Sequence, residues 1–144
     1  MTDTLETLAA KQAVTEGLHR YCHTVDENDR DGIAAVWHPD GTAEYEGWFE
    51  GSAADLADRL LSAHAPASRL SHQVTNVLVE VDGDGDRATS VCSVTAFVRT
   101  PGTDFVTRTR YHDTWSRRDG RWTIDHRRAE APALQTMPND SGPA

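Results

Sequence analysis

The sequence predicts an α+β domain: a cone-shaped, curved antiparallel sheet that three helices of the N-terminal half close around an internal pocket. Helical patterns fill the first half of the chain and long strands follow Pro66, an order typical of segregated α+β folds. The 144 residues, 38% of them hydrophobic, suffice for one domain with its own core. We assign residues 1–131 to this domain. Residues 132–144, rich in proline and small polar residues, are predicted to be disordered.

Three helices are predicted from hydrophobic periodicity and from their end signals. In the first, apolar residues recur at helical spacing from Val14 to Val25. The second stops at His38-Pro39-Asp40-Gly41, a strong helix breaker, and Ser52 with Asp55 provides an N-terminal cap for the third. The predicted helices run from Thr4 to about Asp26, from about Arg30 to Trp37, and from Ser52 to Pro66.

Strand patterns account for the rest of the domain. A short strand from Thr42 to Phe49 precedes the third helix and carries the aromatic residues Tyr45 and Trp48. The four later strands are joined by short links rich in Gly and Asp, which favour hairpins and therefore an antiparallel meander. They are predicted at Ser68–Val81, Arg87–Thr100, Phe105–Arg117 and Arg121–Ala131.

The charge of the chain argues against several classes of partner. A net charge of −9 disfavours nucleic acid and anionic membrane surfaces, and leaves small molecules or other proteins. The N-terminus is acidic where a secretory signal would be basic and then apolar, so we expect a cytoplasmic protein. Cys22 and Cys92 are expected to be reduced, buried thiols. The outer face of the sheet, rich in Thr, Val and aromatic residues, is expected to contact another subunit in a homo-oligomer.

The best candidate for chemistry is a histidine on the first long strand. Alternation places His72 on the same face as Val74, and that face is expected to line the pocket. A histidine becomes an effective general base when a carboxylate holds its other ring nitrogen. Asp26, at the end of the first helix and beside Tyr21, is the carboxylate we select.

The last strand supplies a second candidate group. Alternation groups Trp122, Ile124, His126 and Arg128 on one face, which predicts that His126 and Arg128 project into the pocket. A buried guanidinium there could bind a developing anion. A bulge would instead turn Arg127 inward. On the preceding strand, either the face with Tyr111 or the face with His112 could line the cavity.

Two patterns resemble metal sites without completing them. His19 and His23 have a ligand spacing, with Asp26 as a conceivable third ligand, but the face they share lies away from the apolar stripe. The loop Asp82–Asp86 begins like a calcium loop, yet Arg87 stands where the glycine should be. We therefore expect exposed histidines and a solvated hairpin, with neither a metal nor a cofactor required.

These residues together resemble the SnoaL-like proteins of the nuclear-transport-factor-2-like superfamily. The resemblance rests on Tyr21 to Asp26, Leu70 to Asn76 and Arg117 to Trp122, and it covers roughly residues 5 to 131. Members include hexachlorocyclohexane dehydrochlorinase, scytalone dehydratase and bile acid 7α-dehydratase. The family aspartate and histidine correspond to Asp26 and His72, the tyrosine of the bile acid enzyme to Tyr21, and the final-strand arginine of the dehydrochlorinase to Arg128. Family members form dimers or trimers, so the resemblance implies the same here.

The resulting expectation is a cofactor-independent lyase acting on a small hydrophobic, cyclic substrate. His72 and Asp26 form the general base, while Tyr21 and Arg128 stabilise the substrate oxygen or the departing group. Substrate contacts are expected from Tyr45, Trp48, Val74 and His126. An isomerase or polyketide-type cyclase with the same pair is the alternative, and a non-catalytic ligand-binding domain is the third.

Overall fold

The computed structural model describes residues 3–141, in which three helices pack against a seven-stranded sheet. Residues 1–2, at the predicted signal-free N-terminus, and residues 142–144 of the predicted disordered tail lie outside the described residues. The helices are α1 (Leu5–Asp26), α2 (Arg30–Ala34) and α3 (Ala53–His64). The strands are β1 (Trp37–Tyr45), β2 (Phe49–Ser52), β3 (Arg69–Val81), β4 (Arg87–Thr100), β5 (Thr103–Arg118), β6 (Arg121–Ala129) and β7 (Ala133–Pro138).

The sheet confirms the predicted α+β class and the antiparallel meander of β3, β4, β5 and β6. Its order is β2-β1-β6-β5-β4-β3, and β1 runs parallel to β6, so the sheet is mixed rather than purely antiparallel. The sheet is curved but open, and the helices cover its concave side. None of the described helices combines the length and the apolar content that crossing a bilayer would need.

Side-chain caps fix where the helices begin. The hydroxyl of Thr4 accepts a hydrogen bond from the backbone N–H of Thr7 at 3.1 Å, and Ser52 accepts one from Asp55 at 3.1 Å. Each bond satisfies a backbone donor that has no partner within its helix. The predicted starts of α1 and α3 are therefore confirmed. Helix α2 is shorter than predicted, since it ends at Ala34 and Trp37 already pairs with β6.

Helix α1 forms the inner wall of the core. Its predicted apolar stripe is buried, with Leu18 and Val14 fully inaccessible to solvent. Gly17 allows β5 to approach closely, because a Cβ at this position would lie 2.9 Å from the ring of Trp115. A larger residue would force the helix and the sheet apart.

The segment before α3 differs from the prediction. The single strand expected from Thr42 to Phe49 is a hairpin of β1 and β2, turned at Gly47 with a φ of +73°. His38 to Gly41, predicted to act only as a breaker, lies within β1, where the pairing with β6 is interrupted between Trp37 and Thr42. This irregularity absorbs the proline, which cannot donate a backbone hydrogen bond.

The C-terminal segment corrects the prediction of disorder. Strand β7 pairs with Thr103–Arg108 of β5, beyond the part of β5 that pairs with β6. Asn139 then donates hydrogen bonds to the carboxylate of Asp104 at 2.7 Å and to the carbonyl of Thr100 at 3.1 Å. The tail is ordered because β5 is longer than β6 and leaves a free strand edge that needs backbone partners.

Candidate active site

A cavity of about 230 Å³ lies between α1, α3 and the concave side of the sheet. Its wall is mostly aromatic and aliphatic, with a few polar groups placed among these side chains, a composition typical of small-molecule sites. The lining residues are Tyr21, Tyr45, Glu46, Trp48, Leu60, His64, His72, Val94, Ala96, Thr107, Thr109, Tyr111, Ala129, Glu130 and Pro132.

Asp26 and His72 meet at the edge of this cavity. The Nδ1 atom of His72 lies 2.7 Å from Oδ1 of Asp26, and the backbone N–H of His72 donates to Oδ2 at 3.0 Å. The carboxylate thus holds both the ring and the backbone of the same residue. The side chain of His72 is 7% exposed and that of Asp26 is 27% exposed.

The ionisation of Asp26 fixes the hydrogen on His72. Burial tends to raise the pKa of this carboxyl group, but the ring and backbone hydrogen bonds from His72 together outweigh burial, so the pKa lies below its ordinary value. Because an ionised carboxylate only accepts hydrogen bonds, Nδ1 of a neutral His72 must carry the hydrogen. Nε2 therefore keeps a free lone pair on the side of the ring away from Asp26.

Two tyrosine hydroxyl groups form a second polar feature. The Oη atoms of Tyr21 and Tyr45 lie 2.8 Å apart, and Nη1 of Arg127 donates to Oη of Tyr45 at 3.3 Å. Burial, followed by the neighbouring tyrosines, raises the pKa of Tyr21 well above its ordinary value, so this hydroxyl stays neutral. If Tyr21 donates to Tyr45, the hydrogen of the Tyr45 hydroxyl remains available to a bound molecule.

Arg127 is completely buried and is held on all sides. Its Nε and Nη2 atoms donate to the two carboxylate oxygens of Asp113 at 2.8 and 2.9 Å. The guanidinium carbon lies 4.0 Å from the ring centroid of Tyr111, 4.4 Å from that of Tyr21 and 5.0 Å from that of Trp37. Burial disfavours the charge, yet the attraction and hydrogen bonds of Asp113, together with the neighbouring tyrosines, outweigh burial and hold the pKa of Arg127 well above its usual range.

The prediction that Arg128 and His126 face the pocket is wrong. Arg128 points away from it and forms an ion pair with Glu46 at 2.9 Å, while Nδ1 of His126 contacts the hydroxyl of Thr42 at 2.8 Å. The reason is a bulge in β6: Trp115 pairs with Ile124 and Thr114 pairs with His126, so Asp125 has no partner. This extra residue reverses the alternation and turns Arg127 inward.

The other predicted lining residues divide into two groups. Tyr45, Trp48 and Tyr21 line the cavity, and the Tyr111 face of β5 is the inner one. Val74 packs against the core cluster but does not line the cavity. His112, on the opposite face, forms a 2.7 Å contact with Glu130.

His64, in the last turn of α3, is a titratable lining residue that the sequence did not identify as part of the site. Its ring centroid lies 5.8 Å from that of His72. A weak signal is present in the sequence, because the position continues the apolar stripe of Leu56 and Leu60. A histidine in such a stripe faces the interior and not solvent.

The two metal-like patterns are explained by surface interactions. His19 and His23 are exposed on α1, and Asp86 of the acidic hairpin binds Arg117 at 2.8 Å. Over residues 3–141, we find no group of three His, Cys, Asp or Glu side chains close enough to share a metal ion. Cys22 and Cys92 are free and buried, and burial raises the pKa of their thiols to about 12 and about 11.

Structural comparison places this architecture among known proteins. A candidate scytalone dehydratase from Novosphingobium aromaticivorans superposes with a TM-score of 0.79 at 20% identity, covering 96% of this chain and 95% of that one. The hexachlorocyclohexane dehydrochlorinase LinA-type3 from Novosphingobium barchaimii gives 0.77 at 19% identity, with 94% of each chain covered. A Mycobacterium tuberculosis protein of unknown function gives 0.68 at 29% identity, covering 86% of this chain and 72% of that one.

Sequence comparison supplies the family. No curated protein matches the chain in sequence. The sequence model of the SnoaL-like domain, however, matches residues 6–128, which include every element from α1 to nearly the end of β6. The chain therefore belongs to the SnoaL-like family, within the nuclear-transport-factor-2-like superfamily.

Proposed function

We propose that this protein is a lyase that eliminates water or a hydrogen halide from a small, hydrophobic, cyclic molecule without a cofactor. The observation that carries this proposal is the 2.7 Å contact between Asp26 and Nδ1 of His72 at the wall of an aromatic cavity. It leaves Nε2 of His72 as an acceptor for a proton, which is the requirement for a general base. A passive binding domain would not need this arrangement.

In the proposed reaction, Nε2 of His72 removes a hydrogen from a ring carbon. The C–H bond breaks, a double bond forms to the neighbouring carbon, and the bond from that carbon to the leaving group breaks. Asp26 stabilises the imidazolium that results, because its negative charge lies directly against Nδ1. No electrons are exchanged with a second reactant, and the proton on His72 leaves with the departing hydroxide or halide as water or hydrogen halide, which restores neutral His72.

The departing group is assisted by Tyr45 and not by Tyr21. Tyr45 accepts a hydrogen bond from Arg127, and in this proposal it also accepts one from Tyr21, so that its own hydrogen can be donated into the cavity. Arg127 acts through Tyr45, since the guanidinium itself is shielded by rings and bound to Asp113. It is a positioning residue that holds the Tyr45 hydroxyl in place.

The size of the cavity limits the substrate. An apolar cavity of about 150 Å³ holds benzene, and typical sites for drug-sized ligands begin at about 300 Å³. The present cavity of about 230 Å³ lies between these values. One ring with its substituents therefore fits, which supports a single-ring substrate.

The test compares the wild type and His72→Ala on two single-ring probes, 3-hydroxycyclohexanone and hexachlorocyclohexane. We expect the wild type to convert one of them and the variant to be slower by about 10²–10⁴-fold. His19→Ala, at an exposed position on α1, is the matched control. Product mass separates the reactions, since elimination lowers it and isomerisation does not. No conversion of either probe by the wild type, or full activity of His72→Ala, contradicts the proposal.

A further inference from the structure

His64 is the one imidazole in the cavity wall to which the proposed reaction assigns no role. It projects from the last turn of α3 and meets the ring of His72 with a centroid separation of 5.8 Å and an interplanar angle of 60°. The two histidines come from different elements, α3 and β3, and both line the cavity. A molecule within reach of Nε2 of His72 is therefore also within reach of the His64 ring.

The ring of His64 is free to bind a ligand. Over residues 3–141, neither of its nitrogens forms a hydrogen bond, and neither is sealed away from the cavity and solvent. Burial, and then the proximity of His72, lower the pKa of His64 to about 4, while Asp26 opposes this change. His64 is consequently neutral at the pH where His72 acts as a base, and it offers one N–H donor and one acceptor.

A donor at this place has a specific chemical use. Imidazole removes a hydrogen from carbon readily when the negative charge that remains can move onto the oxygen of a neighbouring carbonyl group. That oxygen then needs a hydrogen-bond donor already in position. A neutral imidazole can serve as this donor, because its N–H group polarises the carbonyl without placing a full positive charge beside it.

The cavity offers few other groups for such an oxyanion. No Lys or Arg side chain lines it in the part of the chain that the structure describes. The hydroxyl of Thr109 donates to the carbonyl of Glu130 at 2.6 Å, and Glu46 and Glu130 at the wall are carboxylates, which repel an anion. Of the donors that remain, His64 lies against the ring of the base.

We propose that His64 donates a hydrogen bond to a carbonyl oxygen of the substrate while His72 removes the hydrogen from the adjacent carbon. This inference rests on the proposed function and narrows its substrate class to a cyclic β-hydroxy carbonyl compound. The α-hydrogen goes as a proton to Nε2 of His72, the electrons of the C–H bond form the double bond between the α and β carbons, and the β-hydroxyl group leaves as water after taking that proton back from His72. Carbonyl and hydroxyl oxygens are thus recognised at different walls of the cavity.

A spectroscopic experiment tests the contact independently of turnover. Cyclohex-2-enone, the product of the probe reaction, is bound to the protein and its carbonyl stretch is measured by infrared difference spectroscopy. We expect a shift to lower frequency in the wild type and in His72→Ala, loss of the shift in His64→Leu, and partial recovery in His64→Gln, which retains an N–H donor. Ser62→Ala, exposed in the same turn of α3, is the control and should resemble the wild type.

A kinetic experiment tests the consequence. Exchange of the α-hydrogens of cyclohexanone in D₂O, followed by NMR, requires the base and the carbonyl donor but no leaving group. We expect His64→Leu to slow the exchange by about 10²–10³-fold, as removal of one oxyanion donor does elsewhere, and His64→Gln to recover part of the loss.

The outcomes separate the two proposals. An unshifted carbonyl stretch in the wild type, the same shift in His64→Leu, or undiminished exchange in His64→Leu overturns the role of His64, whatever His72→Ala does. Exchange that persists in His72→Ala contradicts the general base and therefore the proposed function, even if the stretch responds to His64 as expected. Failure of the wild type to bind the enone or to exchange the ketone overturns the carbonyl assignment.

Discussion

Two aspartates of the molecule, Asp26 and Asp113, each hold a basic side chain at nearly equal distance but in opposite surroundings. The shortest contact between Asp26 and His72 is 2.7 Å and that between Asp113 and Arg127 is 2.8 Å. The first pair opens onto the cavity with an aspartate that is 27% exposed, whereas neither side chain of the second is exposed at all. The two contacts therefore have similar lengths but very different exposure to solvent.

The difference shows how environment assigns a role to a carboxylate. His72 can gain a proton because one of its ring nitrogens keeps a free lone pair. Arg127 cannot lose one, because a guanidinium remains charged and every side of this one is occupied. We accordingly expect the first pair to govern turnover and the second to govern stability and the position of Tyr45.

The largest expected effect comes from breaking the buried pair. Asp113→Ala leaves the Arg127 charge without a partner, and we expect a loss of about 3–5 kcal/mol in the free energy of unfolding, measured by urea denaturation. Asp58→Ala, which removes an exposed ion pair with Arg30, is the control and should change little. A second variant, Asp113→Leu with Arg127→Met, should recover much of the loss. Equal stability of Asp113→Ala and the wild type would show that the pair of Asp113 and Arg127 does not stabilise the fold.

Substitution in the pair of Asp26 and His72 should instead affect turnover more than stability. Asp26→Asn keeps the shape but removes the charge that stabilises imidazolium, and we expect turnover to fall about 10–100-fold with only a small change in stability. Turnover of the elimination probe and urea denaturation of the same sample measure both quantities. A variant with normal turnover but greatly reduced stability would reverse the comparison between the two pairs.

Tyr45 bonds to Arg127 and also lines the cavity, so its substitution should affect both stability and turnover. Tyr45→Phe leaves one N–H of Arg127 without an acceptor in the interior, and we expect a loss of about 1–2 kcal/mol in unfolding free energy together with slower elimination. Trp48→Phe, in the same wall but without a bond to Arg127, is the matched control. If Tyr45→Phe reduces activity but not stability, the hydroxyl contacts the substrate without supporting Arg127.

A pH dependence of stability is also expected from His64. Its pKa is about 4 in the folded chain and about 6.5 when unfolded, so the unfolded chain binds the proton more tightly between these values. Stability should therefore fall as pH decreases from about 6.5 to 4 and change no further from this cause below 4. His64→Gln should flatten that interval in urea denaturation series. An unchanged slope would place the titration on another group.

Asp26 should cause a separate loss of stability at more acidic pH. Its pKa in the folded chain is below the value of about 3.9 found in unfolded chains, so its contribution is complete above that value and is lost as pH falls through the folded pKa. Asp26→Asn should remove this loss while leaving the interval from pH 6.5 to 4 unaffected. An altered slope in that interval would indicate that Asp26 and His64 titrate together.

Much of the site was predictable because local periodicity holds up to the residues concerned. His72 precedes the irregularity of β3, where Asn76 has a φ of +53° and the pairing is interrupted between Thr75 and Leu78, so simple alternation correctly turns it inward. Asp26 ends a helix whose cap and apolar stripe are evident in the sequence. Arg127 follows the bulge in β6, and alternation therefore selected the wrong arginine.

The sequence by itself determined that the helices precede the long strands, where α1 and α3 begin, and which face of β3 carries His72, because these depend on spacing along one element. Only the tertiary structure decided which arginine is buried and bonded to Tyr45, and that the tail forms β7. Those outcomes depend on a single unpaired residue in β6 and on an unoccupied edge of β5, and strand pairing determines both.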